Sequence, residues 1–162
     1  MHPPDTATRI AERVAALAAL FTHIARTRMA GVPLLNPQLA VQPVGWQAAE
    51  PGWADGVLLT PWFMSLVRLP LQGDLAVLRV GHRGARACGS TVFDFLGHHE
   101  PGFGAWESCA LFSPMGDFAS QSQAQAVAED ALRLARAVAE PAHPTPPASP
   151  TRRSLLLGRA AP

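Results

Sequence analysis

The chain has 162 residues, of which 48% are hydrophobic and 15% are charged, and its formal net charge is +1. This length suits one domain with its own core, and so apolar a composition excludes an intrinsically disordered chain. A near-neutral chain without lysine argues against nucleic-acid binding, which needs a clustered positive face. Two cysteines are too few for a disulfide framework or a four-thiolate zinc site.

The first predicted element is an amphipathic helix over residues 6–29. Its apolar side chains recur every three or four residues and share one face: Ile10, Val14, Leu17, Phe21 and Ile24. Asp5 and Thr6 are candidate N-caps, while Gly31 and Pro33 end the run. The arginines of the other face leave a membrane-surface helix open, although a helix packed on a core is favoured.

The chain also lacks the sequence features of export and membrane insertion. No apolar run reaches the ~18–20 residues of a membrane span. The first residues carry no basic region followed by an apolar stretch, as a secretory signal would. We therefore expect a cytoplasmic protein without stable membrane insertion.

Short segments rich in valine, leucine and aromatic residues follow, separated by glycine, proline and aspartate. They predict strands at 39–47, 55–60, 63–69, 75–80, 91–96 and 106–112. The turn residues Gln72-Gly73-Asp74 predict a hairpin between the third and fourth of these strands. Because no segment of helical crossover length separates the strands, we expect a mostly antiparallel sheet of five or six strands.

A second helix begins after Ser120, which has Gln123 at the capping-box spacing, and ends before Pro141. Its predicted apolar stripe consists of Val127, Ala131, Leu134 and Val138. The fold class is therefore α+β, with this helix packed on the sheet. We expect one domain over 1–140, followed by a disordered proline-rich linker and tail over 141–162.

Cysteines and histidines within the strand region are candidates for metal, redox or nucleophilic chemistry: His82, His98, His99, Cys88 and Cys109. Their spacing matches no zinc motif, and adjacent histidines on a strand point to opposite faces. Cys109 with either His98 or His99 would make a Cys-His dyad, although a lone cysteine in an apolar strand is more often a packed side chain. A small metal-binding or redox accessory protein therefore stays the alternative, and the sequence predicts no catalytic residue and no cofactor.

Two proline-interrupted segments carry aromatic and sulfur-containing side chains that we expect to be exposed. They are Thr60-Pro61-Trp62-Phe63-Met64 and Ser108-Cys109-Ala110-Leu111-Phe112-Ser113-Pro114-Met115. Tryptophan and methionine are favoured at binding surfaces, although such residues also cap small sheet cores. The residues taken as partner-binding are Trp62, Phe63, Met64, Phe112, Pro114 and Met115.

The C-terminal segment Thr151-Arg152-Arg153-Ser154-Leu155-Leu156-Leu157 has the order of a twin-arginine export motif. Such motifs stand at the N-terminus, so this one does not act as an ordinary export signal. It is either a basic tail or a docking peptide that imitates a partner's signal. Arg152 and Arg153 therefore join the candidate partner-binding residues.

These segments resemble the HybE-type nickel-iron hydrogenase assembly chaperones from about Asn36 to Val138, and again at the tail. The resemblance is carried by Asn36-Pro37-x-Leu39-x-Val41, Val44-Gly45-Trp46, Gly56 to Met64, Phe95, His98 or His99, Ser108-Cys109, Leu111 to Met115, Phe118, and Arg152-Arg153 with Leu156 and Gly158. Two positions depart from the family pattern. Ser65 stands where the family usually has asparagine, and Ala110 where it usually has serine, which puts any polar contact there in doubt.

The resemblance implies a cytoplasmic, non-enzymatic helper in hydrogenase maturation. Its expected partners are the precursors of the large subunit, the small subunit or both, together with other maturation proteins. Such helpers are thought to hold back export by the twin-arginine route until the metal centres are installed.

Overall fold

The structure is a computed structural model that describes residues 3–139. Its elements are α1 (Thr6–Arg26), β1 (Gln42–Ala48), β2 (Trp53–Leu59), β3 (Met64–Pro70), β4 (Arg83–Cys88), β5 (Thr91–Glu100), β6 (Gly104–Phe112) and α2 (Gln121–Ala135). The strands form one sheet in the order β1-β2-β3-β6-β5-β4, and each neighbouring pair is antiparallel. The predicted α+β class is thereby confirmed. The linker and tail over 141–162 lie outside the described residues, and the domain boundary at 140 stays a prediction.

Helix α1 forms largely as its sequence predicts. Asp5 is the N-cap, and its Oδ1 accepts the backbone N–H of Thr8 at 2.7 Å. The helix ends at Arg26, where the Thr27 side chain donates to the carbonyl oxygen of His23 at 2.7 Å. Leu17 and Phe21 are its buried residues, so the predicted apolar face is confirmed. Neither described helix combines the length and the hydropathy that a membrane span requires.

The two helices cover opposite faces of the sheet. On the α1 side, Leu17 and Phe21 pack in one cluster with Leu58, Val67 and Trp106. On the α2 side, the helix residues pack in a second cluster with alternate residues of the same strands, including Val57, Leu59, Leu66 and Phe95. Because successive side chains of a strand point to opposite faces, β2 and β3 contribute to both cores, and β3 is buried along its whole length.

Helix α2 starts as predicted, with the Ser120 side chain accepting the backbone N–H of Gln123 at 3.1 Å. Its buried face is rotated from the predicted stripe, of which Val127 packs at the edge of the α2-side core. The buried residues are Ala124, Ala128, Leu132 and Ala135, whereas Leu134 and Val138 are exposed. Three of the four buried residues are alanines, and a stripe predicted from the larger leucine and valine side chains is therefore displaced around the helix from the face that is buried. A small face lets the helix lie close to β1 and β2.

The rotated face of α2 predicts unequal costs for two similar substitutions. Leu132→Ala should lower the free energy of unfolding by about 2 kcal/mol, because Leu132 is 4% exposed and its loss leaves a cavity. Leu134→Ala should change it by less than about 0.5 kcal/mol, because Leu134 is 62% exposed. Urea unfolding of both variants measures the difference. Equal losses would mean that the sequence stripe, and not the observed face, meets the sheet.

The predicted hairpin of 63–69 with 75–80 is wrong. β3 pairs with β2 and β6, and residues 71–82 form a connection without a regular strand, apart from a single bridge between Val80 and Gly97. The fourth strand is β4, over Arg83–Cys88, which forms a hairpin with β5 through the two-residue turn Gly89-Ser90. Glycine at the first position of such a turn supplies the positive φ that the turn requires.

The 71–82 connection is held on the sheet by a buried carboxylate and a glycine. Glu107 of β6 accepts the backbone N–H of Leu78 at 3.0 Å, and its two oxygens also accept Arg86 nitrogens at 2.8 and 2.9 Å. Gly97 of β5 lies directly under the carbonyl groups of Leu78 and Arg79, where any Cβ would collide with them. Polar pairing and close backbone contact therefore replace strand pairing in this segment.

Candidate functional site

The two segments singled out in the sequence meet at one end of the sheet. Met64, the first residue of β3, pairs with Phe112, the last residue of β6. The β2–β3 turn carrying Trp62 and Phe63 therefore lies beside the chain that leaves β6 through Ser113 and Pro114. The aromatic and proline residues at this end, Trp62, Phe63, Phe112 and Pro114, are called the rim below.

Asn36 ties the two segments together. Its backbone N–H donates to the carbonyl oxygen of Pro61 at 2.9 Å. Its side-chain nitrogen donates to the carbonyl oxygens of Met115 at 2.9 Å and Phe118 at 2.8 Å, and its Oδ1 accepts the N–H of Gln38. A buried amide with every contact satisfied holds both backbones in one arrangement. Asn36 therefore holds the backbone of both rim segments at this end of the sheet.

Thr60 shapes the β2–β3 turn. Its buried hydroxyl accepts the backbone N–H groups of Trp62 at 3.2 Å and Phe63 at 2.9 Å and donates to the carbonyl oxygen of Phe63 at 3.0 Å. Threonine followed by proline therefore closes the turn locally. The two aromatic rings meet edge to face, with centroids 5.5 Å apart, and both also contact the ring of Phe21.

Phe63 of the rim also lines an open groove on the α1 side of the sheet, with a volume of about 360 Å³. Phe112 packs instead against Phe118, which borders the α2-side core. Helix α1 covers one part of this face, and the groove lies where the helix gives way to β6, β5 and β4. It is lined by Phe21, Leu58, Phe63, Ser65, Val67, Arg83, Asp94, Leu96, His98, Trp106, Ser108, Cys109, Ala110 and Ser113. Most of this lining is apolar, and the ion pair of Arg83 with Asp94, at 3.1 Å, lies among its solvent-exposed residues.

A polar pair lies within the groove. The Nε2 atom of His98 is 2.7 Å from the hydroxyl oxygen of Ser108, and the imidazole stacks on Trp106 with centroids 5.3 Å apart. Burial lowers the pKa of His98, because the charged imidazolium loses hydration there. The lowered pKa favours the neutral imidazole, and the pair adds a polar contact to a mostly apolar lining.

The family model for NiFe-hydrogenase assembly chaperones, HybE, matches residues 12–158 of the chain. The chain belongs to the HybE family. Protein HoxT of Cupriavidus necator is 42% identical over 162 residues, which cover 91% of this chain and 89% of that protein. The hydrogenase expression/formation protein HupT of Azotobacter chroococcum is 42% identical over 137 residues, which cover 80% and 85%. The solution structure of HybE from Escherichia coli is similar, with a TM-score of 0.61, 28% identity and coverage of 93% of this chain and 91% of that one.

Membership in the HybE family confirms the resemblance. The prediction that Met64 and Met115 bind a partner has to be corrected, because neither side chain is exposed. Met64 and Met115 are both fully buried and belong to the α2-side core. Met64 begins β3 and shares its inward face with Leu66, while Met115 lies beyond β6, where Asn36 binds its carbonyl oxygen. Trp62 and Phe63 are half-buried, while Phe112 and Pro114 are exposed. Arg152 and Arg153 lie outside the described residues.

Cys109 and His98 both line the groove, whereas Cys88 packs in the α2-side core. Within residues 3–139, no group of three or more His, Cys, Asp or Glu side chains is placed to hold a metal ion. Burial raises the pKa of both the Cys88 and the Cys109 thiol, which keeps them protonated. The hydrogen-bond partner of His98 is Ser108. No observation on these residues favours the metal or redox alternative.

The groove itself was not predicted from the sequence. Leu96 and His98 alternate along β5, and Trp106, Ser108 and Ala110 alternate along β6, so a period of two places all five on one face. That alternation was visible in the sequence. The sequence does not show which strand lies beside β6. The pairing of β5 with β6 decides this and brings His98 over Trp106.

Proposed function

We propose that this chain is a cytoplasmic chaperone that binds precursor subunits of a nickel-iron hydrogenase and delays their twin-arginine export until the metal centres are installed. Family membership supports a role in hydrogenase assembly. The relative HupT, which is 42% identical and is named a hydrogenase expression/formation protein, supports the same role. The large subunit, the small subunit or both are the clients, and other maturation proteins are further candidate partners.

The observation that carries this proposal is the rim beside the groove. Phe112 is 41% exposed and is held edge to face against Phe118, with centroids 5.4 Å apart. Aromatic side chains fixed before binding lose little conformational entropy on contact and dominate the energy of many interfaces. A groove with a largely apolar lining next to them suits an apolar client segment. An immature subunit exposes such segments before its cofactor and partner cover them.

The chemistry of the groove supports recognition rather than catalysis. Arg83 and Asp94 form an ion pair in the groove, and both side chains are exposed. The Nε2 atom of His98 contacts the hydroxyl of Ser108, and among the described hydrogen bonds no carboxylate contacts the other ring nitrogen. A nucleophilic serine needs a base that is itself oriented by a third group. We therefore assign the protein no enzymatic activity.

Capture of precursors by a rim variant tests the proposal. Phe112→Ala, alone and with Trp62→Ala, should reduce the amount of hydrogenase precursor retained by the tagged full-length chain about tenfold or more, as expected for aromatic anchors of an interface. The single variant removes an exposed ring, so its fold should be preserved. Trp62 also packs against Phe21, and circular dichroism must accompany the double variant.

Leu134→Ala with Val138→Ala is the matched control. These apolar side chains are more exposed than Phe112 and lie at or beyond the C-terminal end of α2. Their loss should leave capture unchanged. If Phe112→Ala captures precursor as well as the control does, then the rim does not contact the client.

A further inference from the structure

The described chain leads towards the groove. After α2, the carbonyl oxygen of Ala137 accepts the N–H of Ser90 at 3.0 Å, and the N–H of Ala139 donates to the Ser90 hydroxyl. Gly89 lies so close to the backbone of Arg136 and Ala137 that a Cβ would collide with it. The last described residue is therefore fastened to the β4–β5 turn.

From this turn, the α1 side of the β4–β5 hairpin forms an exposed path to the groove. Val92, 65% exposed, comes first along β5 and is followed on the same face by Asp94 and Leu96, which both line the groove. Ser90 and Leu96 are separated by about 20 Å of strand, at about 3.3 Å per residue. Residues 140–150, at about 3.1 Å each, span up to about 34 Å in the extended form that proline favours. Residues 151–157 can therefore reach the groove from this anchor.

The chemistry of that segment matches the lining. The prolines of the C-terminal segment stand at 141, 144, 146, 147, 150 and 162, so the stretch from Thr151 to Ala161 is free of them. It carries three consecutive leucines after two arginines, and the family match runs on to residue 158. Leucine side chains suit the apolar lining around Trp106 and Leu96, and the exposed carboxylate of Asp94 can accept an arginine.

We propose that Leu155, Leu156 and Leu157 of this same chain dock in the groove against Trp106 and Leu96, with Arg152 and Arg153 at its exposed edge beside Asp94. The leucines supply the recognition, because Arg83 and Asp94 largely cancel each other's charge. The tail is thus an internal occupant of the groove.

One consequence rests on the proposed function. A client signal with paired arginines before an apolar segment would offer the same chemistry, so tail and client would compete for the groove. A tail tethered by a linker of this length has an effective concentration on the order of 1 mM. If the intrinsic dissociation constant of the tail is about 0.1 mM, molecules with an occupied groove outnumber those with an empty groove about tenfold. The client's apparent affinity would then fall about tenfold.

Nuclear magnetic resonance of the full-length chain tests the docking without any hydrogenase protein. The variant Leu155→Ser with Leu156→Ser and Leu157→Ser should shift the indole N–H signal of Trp106 and the amide signals of Leu96 and Ala110. The matched control introduces three serines in the same C-terminal segment, at Ala142, Ala148 and Ala160, and should leave these signals in place. A synthetic peptide of residues 150–162, added to the leucine variant, should return them to their wild-type positions.

Three other results have defined meanings. If the groove signals have the same positions in the wild type and in the leucine variant, the proposal is overturned. Shifts that depend on protein concentration, with the mass of a dimer, would assign the tail to a second copy and overturn docking within one chain. A peptide that leaves the groove signals of the leucine variant unmoved would also overturn it.

Capture of hydrogenase precursor separates the docking from the proposed function. The leucine variant should retain about tenfold more precursor than the wild type at limiting concentration. If the groove signals shift and capture stays the same, the docked tail stands and competition with the client is refuted. If neither variant nor wild type captures precursor, the proposed function fails while the docking result remains valid.

Discussion

Glu107→Gln is expected to lower the free energy of unfolding by about 3 kcal/mol. The carboxylate is completely buried and accepts the backbone N–H of Leu78, both Nε and Nη2 of Arg86, and Nη1 of Arg68 at 3.4 Å. Glutamine keeps the shape but leaves these guanidinium groups without their anion, and removing one partner of a buried ion pair costs about 3–5 kcal/mol. The lower end applies because Arg68 retains Glu50 at 3.0 Å, and Arg86 still reaches water. Chemical unfolding in urea measures the loss.

The same group makes stability depend on pH. Burial acts to raise the pKa of Glu107, but the hydrogen bonds from Arg86 and Leu78 and the charges of Arg86 and Arg68 outweigh it, so the pKa of this carboxyl is lowered. A carboxyl whose pKa is lower in the folded state contributes stability above its unfolded pKa. That contribution is lost as the pH falls from about 4.5 towards the folded pKa. The wild type should therefore lose stability in this acidic range more steeply than Glu107→Gln does.

Asp94→Asn is the control for this comparison. It breaks the ion pair with Arg83, whose two side chains are 60% and 67% exposed, and such exposed pairs contribute about 0–1 kcal/mol. A loss for Glu107→Gln no larger than that of the control would mean that the buried carboxylate does not organise the β3–β4 connection. Parallel pH profiles of the wild type and Glu107→Gln would show that Glu107 does not cause the acid dependence.

Local patterns predicted most of the fold. The 3.6-residue period of α1, the cap at Ser120 and five of the six strand positions depend only on neighbouring residues. The segment 75–80, Leu-Ala-Val-Leu-Arg-Val, has the composition of a strand and is not one. Its backbone is engaged by a carboxylate 29 residues further along the chain. Conversely, β4 is rich in alanine, arginine and glycine, and is a strand because it pairs with β5.

In the candidate site, too, features set by neighbouring residues were predicted and features set by distant contacts were not. The sequence identified both segments of the rim, because proline next to aromatic residues marks strand ends. It could not separate Phe112 from Met115, since the backbone conformations of the two intervening residues decide which side chain faces water. Asn36 contacts both segments, through the carbonyl oxygens of Pro61 and Met115, whereas Thr60 fixes only the first segment. The groove depends on the pairing of β5 with β6, which periodicity does not reveal.

Gly97→Ala is expected to lower the free energy of unfolding by about 3 kcal/mol. A Cβ at this position would meet the backbone carbonyl groups of Leu78 and Arg79, which cannot turn aside as a flexible side chain would. The Gly97 backbone also donates to the carbonyl oxygen of His82 at 2.9 Å and accepts the N–H of Gly81 at 3.0 Å. Overpacking costs about 1–3 kcal/mol. A displaced connection also withdraws the Leu78 N–H from buried Glu107, which adds about 1–3 kcal/mol.

Hydrogen exchange locates this effect, and Gly73→Ala is its control. In Gly97→Ala, the amides of Leu78 and Gly81 should exchange faster, while those of α1 keep their protection relative to global unfolding. Gly73 lies in the same connection with open space around its Cα, so alanine there should change stability by less than about 0.5 kcal/mol. If Gly97→Ala unfolds at the wild-type urea concentration, or if Gly73→Ala loses as much stability, close contact at Gly97 does not hold the connection. The physical basis is the absence of a side chain in β5, which lets an irregular segment lie on the sheet where a paired strand would otherwise be required.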